Sequence, residues 1–259
     1  MKNFQFHRPK SVAEAVKLLS GNEGAKALAG GQSLLPMLKL DLAQPTDLVS
    51  LAGLAELREI RVDGTNLLVG ALATHDEVAA SKPIAALARL AGGIGDAQVR
   101  NRGTIGGSIS HADPAADYPA ALVALGATIA TDRRRLPADS FFTGLFQSAL
   151  EPDELITAVH FPVPERCSYV KFAHRASKFA VVGVMVVKAK GGVRVAVTGA
   201  GSRVFRVPEM EAALGKKFAP ESLDGIAVAA DDLQTDSEAS AEFRAHLIGV
   251  MAKRAVASA

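Results

Sequence analysis

Cys167 is the only cysteine in 259 residues. That scarcity excludes an intrachain disulfide, and it excludes an iron–sulfur cluster held by this chain alone, because such clusters need several thiolates. Surplus charge is also missing. Lys plus Arg number 29 against 27 Asp plus Glu, a net charge of +2, so there is no broad basic footprint for nucleic acid. The one basic run, Arg133-Arg134-Arg135, reads as a solvated turn between strands. No stretch reaches the roughly 18 consecutive apolar residues of a transmembrane helix, and Met1 to Pro9 has no apolar core of signal-peptide length. The expectation is a soluble, cytoplasmic chain. A Gly-x-x-x-x-Gly-Lys-Ser/Thr sequence is absent too, which removes support for a P-loop nucleotidase.

What is present is apolar residue, 49% of the chain, enough for one large domain or two ordinary ones. Ser11 with Glu14 suggests a capping box before a helix ending near Gly21. Lys26 to Ala29 is too short for a helix and reads as a buried strand, followed by a helical turn from Ser33 to Leu38. Strands are expected at Leu48–Leu51, Glu59–Val62 and Asn66–Gly70, the last two joined through Asp63-Gly64-Thr65. Helices follow at His75–Ala80, Ile84–Ala91 and Ala115–Leu125, then strands at Ala127–Thr131 and Leu155–Phe161. Pro162 and Pro164 mark a boundary, which divides the chain into 1–165 and 166–259. Beyond it, strands come first (Tyr169–Phe172, Val181–Lys188, Val193–Val197) and helices after (Glu209–Leu214, Ser240–Ala257), the order of a smaller α+β domain.

Two glycine pairs carry the chemistry. Ala29-Gly30-Gly31-Gln32-Ser33 lies between a strand and a helical turn. Thr104-Ile105-Gly106-Gly107-Ser108 follows Arg100, Asn101 and Arg102. Bare backbone beside hydroxyls suits close approach to phosphate oxygens, and two such loops suggest a diphosphate held from two sides. Either pair alone also fits an ordinary tight turn. Gly199-Ala200-Gly201 lacks the third glycine and the helix of a dinucleotide fingerprint, so it reads as a loop. His111, Asp113 and Asp117 are close in sequence, but no full metal-ligand set accompanies them and no metal site is expected; Asp113 reads as a helix N-cap. Asp117, near a glycine-rich site, suits hydrogen bonds from a ribose or flavin donor.

Three segments in order resemble one family: Ala29 to Pro36, Ile94 to Ser108, and His111-Ala112-Asp113-Pro114-Ala115-Ala116-Asp117. Together with Lys171 to Ser177 and Ser237 to His246, they are similar to the FAD-binding medium subunit of molybdenum hydroxylases, the group of the aerobic carbon monoxide dehydrogenase medium subunit and the xanthine dehydrogenase flavin subunit. The resemblance implies an α+β fold: a PCMH-type FAD-binding domain of two subdomains, then a smaller C-terminal α+β domain. It implies non-covalent FAD, with Ala29, Gly30, Gly31, Gln32, Ser33 and Thr104, Ile105, Gly106, Gly107, Ser108 at the diphosphate. Asp117 is then at the flavin or ribityl side, with Lys171 and the region of Phe179 near the ring and Leu155 or Ile156 lining the site. Phe179 stands where many relatives carry Tyr, so a ring is kept and a hydroxyl lost. No catalytic residue is assigned. The implied partners are a large molybdenum-cofactor subunit and a small subunit with two [2Fe–2S] clusters, in a dimer of heterotrimers. The competing readings are a self-contained PCMH-type flavin oxidase, which often tethers flavin through a histidine where this chain has Gln32, and a non-catalytic nucleotide-binding protein.

Overall fold

The computed structural model describes residues 2–259. Three larger sheets and one two-stranded pair organise them. The first is parallel: β1 (Gln5–His7), β2 (Lys26–Leu28) and β3 (Asp47–Ser50) in the order β1-β3-β2. Its crossovers run through α1 (Val12–Gly21) and α2 (Leu34–Lys39). His7 Nε2 meets Asp47 Oδ1 at 2.6 Å and ties β1 to β3. The Ser11 hydroxyl accepts Glu14 N–H as the N-cap of α1, but the Glu14 carboxylate takes the N–H of Lys10. Only half of the expected capping box therefore forms. The reciprocal version occurs at Thr74 and Glu77.

The second sheet has five antiparallel strands, β4 (Ile60–Asp63), β5 (Asn66–Gly70), β6 (Thr128–Thr131), β7 (Arg135–Pro137) and β10 (Ile156–Pro162), ordered β4-β5-β10-β6-β7. The expected β4–β5 hairpin is present, with Gly64 in the left-handed region its turn requires. Five helices pass between β5 and β6: α3 (His75–Ala79), α4 (Ala85–Gly92), α5 (Ala97–Arg100), α6 (Ile105–His111) and α7 (Tyr118–Leu125). A small pair, β8 (Phe142–Gly144) and β9 (Gln147–Ser148), precedes β10.

The third sheet, β11 (Arg166–Ala173), β12 (Ala180–Ala189), β13 (Gly192–Thr198) and β14 (Phe205–Arg206), is antiparallel in chain order. Its helices α8 (Pro208–Lys216) and α9 (Ala241–Ala257) come after the strands, as the patterning suggested. Alternation on β12 shows how it is packed: Val182, Val184 and Val186 join the α8–α9 core, while Met185 and Val187 join the core built around α7. All eight residues of α7 are buried, so this helix is apolar all round because it has protein on every side. Each buried leucine there contributes roughly 1.5–3 kcal/mol. Sheet two and sheet three thus share one core.

Two local expectations are corrected. The helix expected from Ala115 starts at Tyr118, and 113–117 is a turn in which the Asp113 carboxylate accepts the N–H of Ala115 at 2.9 Å rather than capping the helix. The arginine run is not freely solvated. Arg133 pairs with Asp132 and Asp153, and Arg134 makes a two-point contact with Glu154, whose side chain is wholly buried.

Candidate functional site

The first glycine loop leaves the carboxyl end of β2, where ligands of parallel sheets bind. Gly31 has φ +76°, a conformation that favours glycine. Gly30 serves a different need. A β-carbon there would lie 1.9 Å from the carbonyl oxygen of Arg102, and one on Gly107 would be 3.7 Å from Ala29 Cβ. The two glycine pairs, about seventy residues apart in sequence, therefore form one place in the fold.

Their backbone donors differ. In the first loop the N–H groups of Gly30, Gly31, Gln32 and Ser33 have no protein acceptor among the described residues; Leu35 N–H is the first to turn back, onto Gly31 O. Unpaired donors in succession on one loop suit an anion. Because α2 has only six residues, those donors carry the attraction more than a macrodipole does.

In the second loop the donors are already used, contrary to the expectation of free backbone on both sides. Ile105 and Gly106 donate to Ala73 O and Ala71 O, Gly107 to the Thr104 hydroxyl at 3.1 Å, and Ser108 to Thr104 O. Ile105 is fully buried, and a β-carbon on Gly106 would sit 2.7 Å from Ala71. Thr104, Ile105 and Gly106 thus anchor the loop, while Gly107 and the half-buried Ser108 face outward. Arg100 donates from its guanidinium to Ile94 O and Gly95 O.

His75 was not singled out by its sequence position, yet it supports this loop. Its backbone N–H donates to Gly103 O, its ring lies against the Cα of Gly103, and Nδ1 lies 3.3 Å from the Tyr118 hydroxyl. Burial lowers its pKa to about 4, so the ring is neutral at pH 7.

Asp117 and Lys171 do meet, but they face each other. Lys171 Nζ donates to Asp117 Oδ2 at 3.0 Å, to Gly93 O at 3.0 Å and to Lys178 O at 2.7 Å, which uses all three ammonium hydrogens. The other Asp117 oxygen accepts the Tyr169 hydroxyl at 2.5 Å. Burial pushes the Asp117 carboxyl upward, against the pull of Lys171 and Tyr169. Ile156 lies in the shared core on β10, and Leu155 lies in the core beneath sheet one. Phe179 is 45% exposed, at the end of the β11–β12 loop. His111 packs its ring on Phe146, Asp113 takes Ala115 N–H and Asp117 takes Tyr169 and Lys171, and no cluster of three metal-ligating side chains occurs among the described residues. Tyr169 was legible only as the i, i+2 partner of Lys171 on one strand face.

Concavity points elsewhere. Grooves of about 670 and 530 Å³ lie on the outer face of sheet two, beside α1 and the arginine turn, and contain none of the glycine-loop residues. Unsatisfied donors on a loop are the more specific signal for a phosphate, so the loops are the candidate site.

Comparison with known proteins shows the family. Residues 2–164 match the FAD binding domain in molybdopterin dehydrogenase, and residues 168–259 match the CO dehydrogenase flavoprotein C-terminal domain. The chain is 37% identical to the carbon monoxide dehydrogenase medium chain of Hydrogenophaga pseudoflava, over 99% of this chain and 96% of that one. It is 34% identical to the nicotine 6-hydroxylase medium subunit of Paenarthrobacter nicotinovorans, over 98% and 96%. It superposes on a chain of reconstituted CO dehydrogenase from Oligotropha carboxidovorans with a TM-score of 0.91 at 32% identity, covering 99% and 97%. The chain belongs to the family of FAD-binding subunits of molybdenum hydroxylases.

Proposed function

We propose that this subunit relays electrons within a molybdenum hydroxylase complex, receiving them from [2Fe–2S] clusters on a small partner subunit and releasing them to an external acceptor. The molybdenum cofactor and the clusters belong to the large and small partners, in keeping with the single cysteine of this chain. A dimer of heterotrimers in the cytoplasm is the assembly we infer; among the described residues no helix is long and apolar enough to cross a membrane. The working division is a flavin domain, 1–165, and a C-terminal domain, 166–259.

Bound FAD supplies the redox chemistry, and the protein supplies position and electrostatics. The observation that carries the reading is the contact of Gly30 with the Arg102 backbone, which joins four open N–H donors to the second glycine loop. Ala29 to Ser33 would hold the diphosphate by backbone donors and the Ser33 hydroxyl. Gly107 and Ser108 would close it from the other side, on a platform made by Thr104, Ile105 and Gly106. Asp117 and Lys171 act from behind, since their polar atoms are engaged within the protein. Ile156 contributes core packing beneath the site, and Phe179 offers a ring to the flavin face.

The test is reconstitution. The purified chain is expected to be yellow, to bind added FAD with one-to-one stoichiometry, and to release it intact on acid denaturation. A flavin that stays attached after denaturation would favour a covalent PCMH-type oxidase.

A further inference from the structure

We propose that Tyr169 is a positioning residue for the flavin chemistry, acting through Asp117 and Lys171 on the loop that carries Phe179. The proposal rests on the FAD reading above. It starts from the turn 114–117, whose acceptors are engaged by the C-terminal domain. Pro114 O accepts Gly199 N–H at 2.8 Å and the Thr198 hydroxyl at 2.9 Å; Ala116 O takes the same hydroxyl at 2.7 Å, and Ala115 O takes Ala180 N–H at 3.1 Å. The Asp117 carboxylate then accepts the Tyr169 hydroxyl and the Lys171 ammonium. The turn is a latch between the two domains, with Asp117 as its charged end.

Lys171 extends the latch to the loop. Its ammonium holds Lys178 O at 2.7 Å, one residue before Phe179. The loop is closed further by His174 N–H to Phe179 O and Lys178 N–H to His174 O, and His174 Nδ1 accepts Ala176 and Ser177 N–H. Lys178 has φ +65°, a conformation that an L-residue keeps only when its surroundings hold it.

Tyr169 determines where the shared carboxylate sits. The fold leaves room for its hydroxyl at Gly183, where a β-carbon would lie 2.3 Å from the phenolic oxygen. Without the hydroxyl, Asp117 Oδ1 is a buried acceptor with no partner. The carboxylate is then free to rotate toward Lys171 and draw the ammonium from Lys178 O.

The experiment compares wild type with Tyr169→Phe, which removes the hydroxyl, and Gly183→Ala, which displaces it. Amide hydrogen exchange is read with and without FAD, alongside the reduction potential and visible spectrum of the bound flavin. The expected result for both variants is about tenfold faster exchange at His174 and Lys178, with α9 unchanged, and a shifted flavin potential and absorption band. The proposal is overturned by wild-type exchange in the loop, by acceleration spread evenly over the chain, or by a faster loop with an unmoved potential. If the wild-type chain binds no FAD, the cofactor assignment fails first and takes the flavin role of Tyr169 with it.

Discussion

Gly30 and Arg102 touch through backbone alone: no side chain fits between the Cα of Gly30 and the Arg102 carbonyl, where a β-carbon would be 1.9 Å from oxygen. That contact places the open donors of the first loop against the second. Gly30→Ala is therefore expected to part the loops and weaken FAD affinity by at least about tenfold, the equivalent of roughly one lost charge-assisted hydrogen bond. A fluorescence titration with FAD measures it. Affinity within twofold of wild type, in a folded variant, would show that the contact does not shape the site.

Gly107→Val tests the second loop. A β-carbon at 107 lies 3.0 Å from the Thr104 hydroxyl, so a branched side chain both strains the α6 cap and fills the outward face. Gly107→Ala separates the two effects, because it strains the cap without filling that face. Loss of FAD binding in the valine variant alone assigns the outward face to the cofactor; equal loss in both assigns the defect to the cap.

Most elements were legible because they rest on local chemistry: the short unbroken apolar run of β12, the Asp63-Gly64-Thr65 turn. What was not legible depends on partners distant in sequence. Nothing near Ile105 or Gly106 announces that Ala73 and Ala71 take their N–H groups, and nothing near Asp117 announces Tyr169, 52 residues on. Asp113 turns onto Ala115 N–H within its own turn, and Asp117 was not legible as a buried partner because the strand that carries Tyr169 and Lys171 lies in the other domain.

Acid stability follows from His75 and Glu154. The folded-state pKa of His75, about 4, is below its free value of 6.5, so the unfolded chain binds the extra proton first and stability falls as pH drops from about 6.5 to 4. The full effect is about 3 kcal/mol. Glu154, held at about 2 mainly by its hydrogen bonds from Arg134, adds stability above about 4.5 that is lost toward pH 2. Thermal melts of His75→Phe against pH should show a flatter profile between pH 6.5 and 4 than wild type. An unchanged slope would remove His75 as the source.

Phe179 sets a prediction about electron release. Its ring is 45% exposed and carries no hydroxyl. Phe179→Tyr is expected to leave FAD affinity unaltered, since the diphosphate loops are untouched, while changing the rate at which the reduced subunit passes electrons to an external acceptor. Stopped-flow reoxidation reads this directly, and identical rates would place the ring away from the flavin face.

The central claim is that one FAD binds across the two glycine loops, with its diphosphate on the donors of Gly30 to Ser33. Isothermal titration of the purified chain with FAD, beside Gly30→Ala, tests it most directly. The account predicts one non-covalent FAD per chain in the wild type and at least about tenfold weaker binding in the variant. Equal binding in both proteins, or none in the wild type, would contradict it.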